Sequence, residues 1–276
     1  MYCIYTGKEF KEDEMSVEHI MPLSLGGCDD FTIMVEKGIN SDLGNEIDGK
    51  LAEDFLVKIK RARENIKGHS RKTVKLDVRG RVDGRPVTYT VTQKDTMFYD
   101  HISRKRLTGK FAMQMSVKFN LALRLRFVCK VALATGYFLY GEKFVKYADC
   151  TSLRQTMLSE EREGFSDKLR YYDTFIKPKD NDAAMMSAYK YLLKCLGKST
   201  VIFSYHANGI IVFVSVKGNY IGSVNVNADM NSLITEDDST FGRVLLCGNN
   251  IRLYELRDIM TKFFNALNNM NLEKEA

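Results

Sequence analysis

An α+β fold is predicted for this chain. Three observations carry the prediction: some stretches repeat apolar residues every three or four positions, others alternate strictly, and a 45% apolar content over 276 residues supplies a core for one or two domains. In chain order, strand-like runs near residues 16–20 and 31–35 form a hairpin-like region, followed by a short helical turn over 40–45. Asp48 is predicted to cap a helix reaching about residue 66, because Leu51, Phe55, Ile59, Ala62 and Ile66 recur at helical spacing; Gly68 ends it. Alternation in Val74-Leu76-Val78 and Val87-Tyr89-Val91, around an Asp83-Gly84 turn signal, predicts a β-hairpin. Residues 118–147 read as largely helical, 159–182 as a loop containing Pro178, and 183–196 as a short helix. Strands follow at 200–205, 210–216 and 220–226, with turns at Asn208-Gly209 and Gly218-Asn219. A last strand near 244–247 and a helix from 251 to about 267 complete the reading. The expected architecture is a small N-terminal module on a larger mixed domain.

Composition removes several classes. With three prolines and 19 glycines the chain is neither collagen-like nor low-complexity. The most apolar run, 127–140, is interrupted by Lys130, so no membrane span is expected. The first residues lack an apolar stretch of signal-peptide length, and a cytoplasmic location is expected. Six scattered cysteines show no framework spacing and are expected as free thiols. No Gly-x-x-x-x-Gly-Lys phosphate loop occurs, which leaves nucleotide hydrolysis without support.

The net charge of +6 hides an asymmetry. Residues 1–57 hold four basic and 13 acidic groups, whereas residues 58–110 hold 16 basic and five acidic. Residues 111–130 add four basic groups and no acid, and the rest of the chain balances to zero. An acidic module, a strongly basic segment and a neutral C-terminal half suggest a polyanionic partner for the middle.

The most informative stretch is Ser16-Val17-Glu18-His19-Ile20-Met21-Pro22, then Gly26-Gly27, then Asn40. Consecutive strand residues point to opposite faces. Glu18 can therefore bind a metal from one side while the His19 imidazole approaches a reactive water from another. Asn40 would bring a neutral oxygen to the same ion. A carboxylate with an amide oxygen is a sparse, hard ligand set suited to Mg²⁺ or Mn²⁺. Taken alone, a Glu-His pair on a strand is usually structural.

Glu18-His19-Ile20-x-Pro22, Gly26-Gly27, an apolar strand and Asn40 together resemble the HNH nuclease motif, the ββα-metal fold. Cys3-Ile4-Tyr5-Thr6-Gly7-Lys8 resembles the first turn of its zinc-bearing form, and Gly44-x-x-Ile47-Asp48 with Leu51 continues a pattern seen after the Asn. The resemblance covers roughly residues 1–57. It implies a nuclease with His19 as general base, Glu18 and Asn40 as metal ligands, and a phosphodiester of nucleic acid as substrate. A histidine serves as base only while unprotonated, so activity should fall at acidic pH.

Three departures stand out. The two Cys-x-x-Cys pairs of the zinc form read Cys3/Thr6 and Glu36/Ile39 here, so no structural zinc is expected. Apolar packing must replace it, with Tyr2, Ile4, Phe10, Ile33, Val35 and Leu51 as candidates. The central Asn that tethers the motif's loop is missing; Phe31 or Thr32 falls near its place, with Asp30 as a substitute. The metal carboxylate is Glu rather than the commoner Asp. Elsewhere, Asp100-His101 lacks the flanking Pro and Gly-Gly and is read as structural. His206 is read as a hairpin residue, and His69 as solvent-facing or phosphate-touching.

The expected organisation is an HNH-like module with a basic helix over 1–67, a basic hairpin and helical region over 68–158, and a C-terminal α+β domain over 159–276. Lys58, Lys60, Arg61, Arg63, Arg71, Lys72 and Lys75 are the expected phosphate contacts. The expected function is a metal-dependent DNA endonuclease, as in restriction, homing or phage defence. RNA as substrate and a homodimer stay open. The alternative is a non-catalytic nucleic-acid-binding protein with a degenerate module.

Overall fold

Tyr2–Cys3 (β1) and Lys8–Glu9 (β2) close a short ladder at the start of the chain. Met15–His19 (β3) then pairs antiparallel with Thr32–Glu36 (β4), in a register that sets Glu18 opposite Ile33 and His19 opposite Thr32. The computed structural model describes residues 1–68, 71–176, 180–234 and 241–275 of this α+β chain.

From β4 the chain runs without a break into helix. Lys37–Leu43 (α1) passes into a wider π-helical turn at Gly44–Gly49 and returns to α geometry at Lys50–Ala52 (α2). Phe55–Glu64 (α3) follows as a separate helix. Its cap is Asp54, which accepts hydrogen bonds from Leu56 and Val57 N–H, and not Asp48 as predicted. The π turn carries Asp48 inward instead. Asn65, in the left-handed conformation at φ 51°, ends α3 ahead of the predicted stop at Gly68.

The predicted hairpin forms at Leu76–Val82 (β5) and Arg85–Val91 (β6), turning at Asp83 and Gly84, both with positive φ. Thr96–Asp100 (β7) and Lys105–Arg106 (β8) extend it to four strands that packing did not announce in the sequence. A small core under it joins Ala62 of α3 to Val74, Leu76, Tyr89 and Val91.

Leu121–Tyr140 (α4) is the central helix. Every residue from Leu123 to Gly136 is buried, so it is covered on all sides. Glu142–Tyr147 (α5) and Cys150–Leu158 (α6) follow. One edge strand, Arg170–Tyr172 (β9), lies in the region predicted as loop; it is held by pairing to a later strand rather than by its own sequence. Asp180–Leu196 (α7) precedes Ser199–His206 (β10), Gly209–Val216 (β11) and Asn219–Asn227 (β12). Met230–Leu233 (α8), Gly242–Cys247 (β13), Ile251–Glu255 (β14) and Leu256–Glu275 (α9) end the described chain. The predicted helix start at 251 is thus corrected: residues 251–255 are a strand, recruited by β13 to the edge of the sheet.

These strands form one six-stranded antiparallel sheet in the order β14-β13-β10-β11-β12-β9. Alternation divides its two faces. Val201, Phe203, Val212 and Val214 join a core shared with α4 and with Ile4, Phe31, Val35 and Leu51 of the N-terminal module. Ile202, Ile211, Phe213 and Val244 meet Tyr189, Leu192 and Leu193 of α7 and Leu256 of α9. The core around α4 therefore runs from the first residues of the chain to the C-terminal sheet. Among the described residues no helix is long and apolar enough to cross a membrane.

Candidate active site

Glu18 and His19 end β3, and the pleat sends them to different surroundings. His19 stays partly exposed, with Nε2 3.3 Å from Asp29 Oδ1. Glu18 turns inward and is 7% exposed. Both line an open cleft of about 560 Å³, whose other walls include Ser24, Asn45, Asp48 and Gly68.

Behind the cleft lies a buried charge cluster. Lys130, from the middle of α4, donates from Nζ to Asp48 Oδ2 at 2.6 Å and touches Glu18 Oε1. Glu18 Oε1 thus has a counter-ion, while the buried Asp48 Oδ1 has no hydrogen-bond partner among the described residues. Burial by itself would depress the Lys130 ammonium, but Asp48 and Glu18 outweigh it and hold its pKa above the usual lysine value. Burial pushes the Asp48 carboxyl up to about 6; Lys130 opposes that shift and the Glu18 charge adds to it. Two carboxylates sharing one ammonium leave a net negative charge in a dry wall of the cleft. Tyr5 is fully buried beside them, and burial with the charges of Glu18 and Asp48 keeps its phenol protonated.

The loop after β3 is built by close approaches. Gly26 has φ 78°, and a Cβ on Gly27 would lie 1.7 Å from the Met21 carbonyl oxygen, so both positions need glycine. The loop is tied from outside. Arg61 Nε donates to Ser24 O at 2.7 Å and Ser199 Oγ to Leu25 O at 2.6 Å. Asp30, the expected substitute tether, instead accepts from Ile251 N–H at 2.9 Å and so joins β14 to the loop preceding β4. Asn40 of α1 reaches back to β3, donating from Nδ2 to Ser16 Oγ at 2.9 Å and to the Val17 carbonyl at 3.1 Å. A carbonyl only accepts, so this contact fixes which end of the amide is nitrogen.

The first part of the chain thus combines a β-hairpin, a following helix and an acid-His pair lining one cleft.

Residues 3–56 match the model of the HNH endonuclease family.

The N-terminal part of the chain is thus an HNH module, and a nucleic acid is the substrate such a module implies. No curated protein and no solved structure matches the chain.

Within the HNH module, the positions of the zinc-bearing form have a different use. The Glu36 carboxylate accepts from Gly38 and Ile39 N–H at 2.6 and 2.7 Å and caps α1, while Glu36 N–H donates to Cys3 Sγ at 3.4 Å. These backbone bonds, Ile39 first, hold the Glu36 carboxyl below its ordinary value. Of the residues expected to pack in place of zinc, Ile4, Ile33, Val35 and Leu51 are buried, and Tyr2 and Phe10 lie against them.

Among the described residues no three His, Cys, Asp or Glu side chains gather as a metal cluster. The pair that does converge, Glu18 and Asp48, offers hard oxygens around one ammonium, with Asp48 Oδ1 lacking a hydrogen-bond partner among the described residues. That set fits a divalent ion such as Mg²⁺, which keeps water and phosphate oxygens for its remaining positions.

The basic segment is less uniform than its sequence. Arg63, Arg71 and Lys72 are exposed. Lys58 pairs with Glu53, Lys75 with Asp77 at 2.8 Å, and Lys60 lies 3.7 Å from Glu64. Arg61, expected among the phosphate contacts, is 8% exposed and spends its donors on Ser24 and Ala52 carbonyls. It is a strut of the loop. His69 lies outside the described residues. Sequence reasoning weighed Asp48 for the metal shell but preferred it as a helix cap, and it passed over Asp29 and Lys130 as site groups; the one visible signal was a lysine interrupting the most apolar run of the chain.

Proposed function

We propose that the chain is a divalent-metal-dependent endonuclease that hydrolyses phosphodiester bonds of DNA, with His19 as general base. The observation that carries this reading is the cleft in which Glu18, His19 and Asp48 meet. Asp29 Oδ1 lies 3.3 Å from His19 Nε2, and with the ring proton on that nitrogen the Nδ1 lone pair would be the proton acceptor. His19 would take a proton from water as that water attacks phosphorus, and the sugar oxygen would leave. Glu18 and Asp48 would hold the ion, with Asn40 Oδ1 as its neutral ligand. A bound Mg²⁺ or Mn²⁺ would neutralise charge on the scissile phosphate and the departing oxygen. The free cysteines fit a reducing, cytoplasmic setting.

A second reading has one observation in its favour. The Lys130 ammonium already neutralises Glu18, as it would in a module kept only for binding nucleic acid. Incubation with supercoiled plasmid and Mg²⁺ or Mn²⁺ separates the two. The nuclease reading expects nicking that falls by about 10²–10⁴ in His19→Ala while DNA binding persists. Absence of nicking with every divalent ion, on DNA and RNA alike, selects the binder.

A further inference from the structure

A second cleft, of about 300 Å³, opens between α3 and the C-terminal sheet. Four lysines from three separate elements line it: Lys60 of α3, Lys190 and Lys194 of α7, and Lys217 in the turn between β11 and β12. Among the described residues no Asp or Glu lines it. Glu64 stands 3.7 Å from Lys60 and 3.9 Å from Lys217 and the Asp173 charge acts on Lys190, and two carboxylates cannot balance four ammonium groups. Lys190 lies 5.1 Å over the Tyr220 ring and is held close to the Asp173 carbonyl, so it is fixed in the wall. Lys194 is in no ion pair among the described residues.

The turn that presents Lys217 breaks a local rule. Val216 pairs with Asn219, so the turn is two residues long, and Lys217 and Gly218 both have positive φ, at 50° and 77°. Such turns favour Asn-Gly, and a lysine in the left-handed region is sparsely populated and costs energy. Strain retained at a surface turn points to a use for the side chain. Asn219 Nδ2 donates to Leu56 O at 2.9 Å and locks this turn to α3, so the cleft is formed before anything enters it. The Lys217 stem also lies against the loop of the HNH module, where a Cβ on Gly26 would come within 2.3 Å of its Cε. The lysine cleft and the His19 cleft thus flank one loop.

We propose that this cleft is a phosphate-binding subsite that holds the nucleic-acid backbone next to the point of cleavage. It is built jointly by the HNH module and the C-terminal half. It extends the nuclease reading and rests on it for the identity of the strand. Its ligand chemistry is a row of phosphodiester anions read by charge, without base recognition. Burial lowers the Lys190 pKa, with Asp173 opposing, so an arriving anion would also restore a favourable environment for that ammonium.

The test uses the full chain in EDTA, where binding is read without cleavage. Affinity for a 20-base-pair duplex is followed by fluorescence anisotropy across a KCl series. The variant is Lys194→Gln with Lys217→Asn, which creates the Asn-Gly pair that the turn prefers and so keeps the fold while removing two charges. Loss of two phosphate contacts should flatten the slope of log K against log salt by about 2 and weaken binding at least tenfold near physiological salt. An unchanged slope and affinity, with an unchanged melting temperature, overturns the subsite. So does a wild-type chain that fails to bind the duplex. Inorganic tripolyphosphate reads the other source of phosphate. If it raises the melting temperature of the wild type only, while both proteins bind DNA alike, the cleft takes a free polyphosphate and the strand-holding role is overturned. Because no step here requires cleavage, failure of plasmid nicking leaves this result standing, and failure of the subsite leaves nicking untouched.

Discussion

Lys130→Met isolates the charge that joins the HNH module to the rest of the molecule. Methionine keeps an unbranched side chain of similar volume in a site with no exposure and removes only the ammonium. In the native protein Glu18 and Asp48, each no more than about a tenth exposed, share that single cation. The variant leaves two buried carboxylates facing each other. Removing one partner of a buried ion pair costs roughly 3–5 kcal/mol, because the stranded charge cannot regain its water. At about 2–4 °C per kcal/mol for a chain of this size, the melting midpoint should fall by about 6–20 °C. Circular dichroism melting at pH 7.5 in EDTA reads the loss. Mg²⁺ should restore more of the midpoint in the variant than it adds to the wild type, since a divalent ion can neutralise the same two oxygens. The triple variant Lys130→Met/Glu18→Gln/Asp48→Asn should recover most of the loss. A variant that melts within about 2 °C of the wild type in EDTA refutes the reasoning, for it would mean that the ammonium neutralises neither acid.

Two further outcomes follow from neighbouring groups. The folded value of Asp48, near 6, exceeds the unfolded value of 3.8. The native state therefore holds that proton more tightly, and wild-type stability should decline as pH rises from about 4 to about 6 and level off above, by roughly 3 kcal/mol at most. Asp48→Asn should abolish this part of the slope in urea unfolding at pH 4.5 and 7.5; parallel pH dependence in the two proteins contradicts the burial argument. Arg61→Met keeps the buried stem and loses the donors to Ser24 and Ala52, so it should cost about 1.5–3 kcal/mol and slow nicking at least tenfold. The salt dependence of DNA binding should stay at the wild-type value, and a flattened slope would return Arg61 to the phosphate contacts.

Much of the fold was legible where local signals and tertiary contacts agree. The β3–β4 pair, the Asp83-Gly84 hairpin and the three long strands of the C-terminal sheet follow from alternation bounded by turn residues. The errors lie where packing outweighs local preference. Asp48 looks like a helix cap because Asp favours caps, yet a π turn between two glycines rotates it toward Lys130, 82 residues away. Residues 251–255 continue a helical pattern in sequence, but β13 offers an unpaired edge and takes them as a strand. The acid-His pair was readable because the HNH motif is local. Lys130, Arg61 and Ser199 were not, because each acts across the fold on a residue distant in sequence, and nothing in its own neighbourhood marks the partner.

Those distant contacts share a direction. The HNH module lacks the thiols of a zinc site and the Asn that tethers its loop, and both losses are offset from outside residues 3–56. Arg61 and Ser199 hold the carbonyls of the loop, Asp30 fastens it to β14, and Arg154 of α6 donates to Ile4 O at 2.7 Å beside the Cys3 position. Arg124, buried in α4, binds Asp54 at the cap of α3, Asp173, and the Tyr220 and Ile221 carbonyls of β12. A buried guanidinium with that many acceptors tolerates little displacement of any one of them. The helix that carries it also carries Lys130. Movement of the sheet against α4 would therefore reach Glu18 through one rigid element, and the geometry of the cleft is a property of the whole chain rather than of its first fifth.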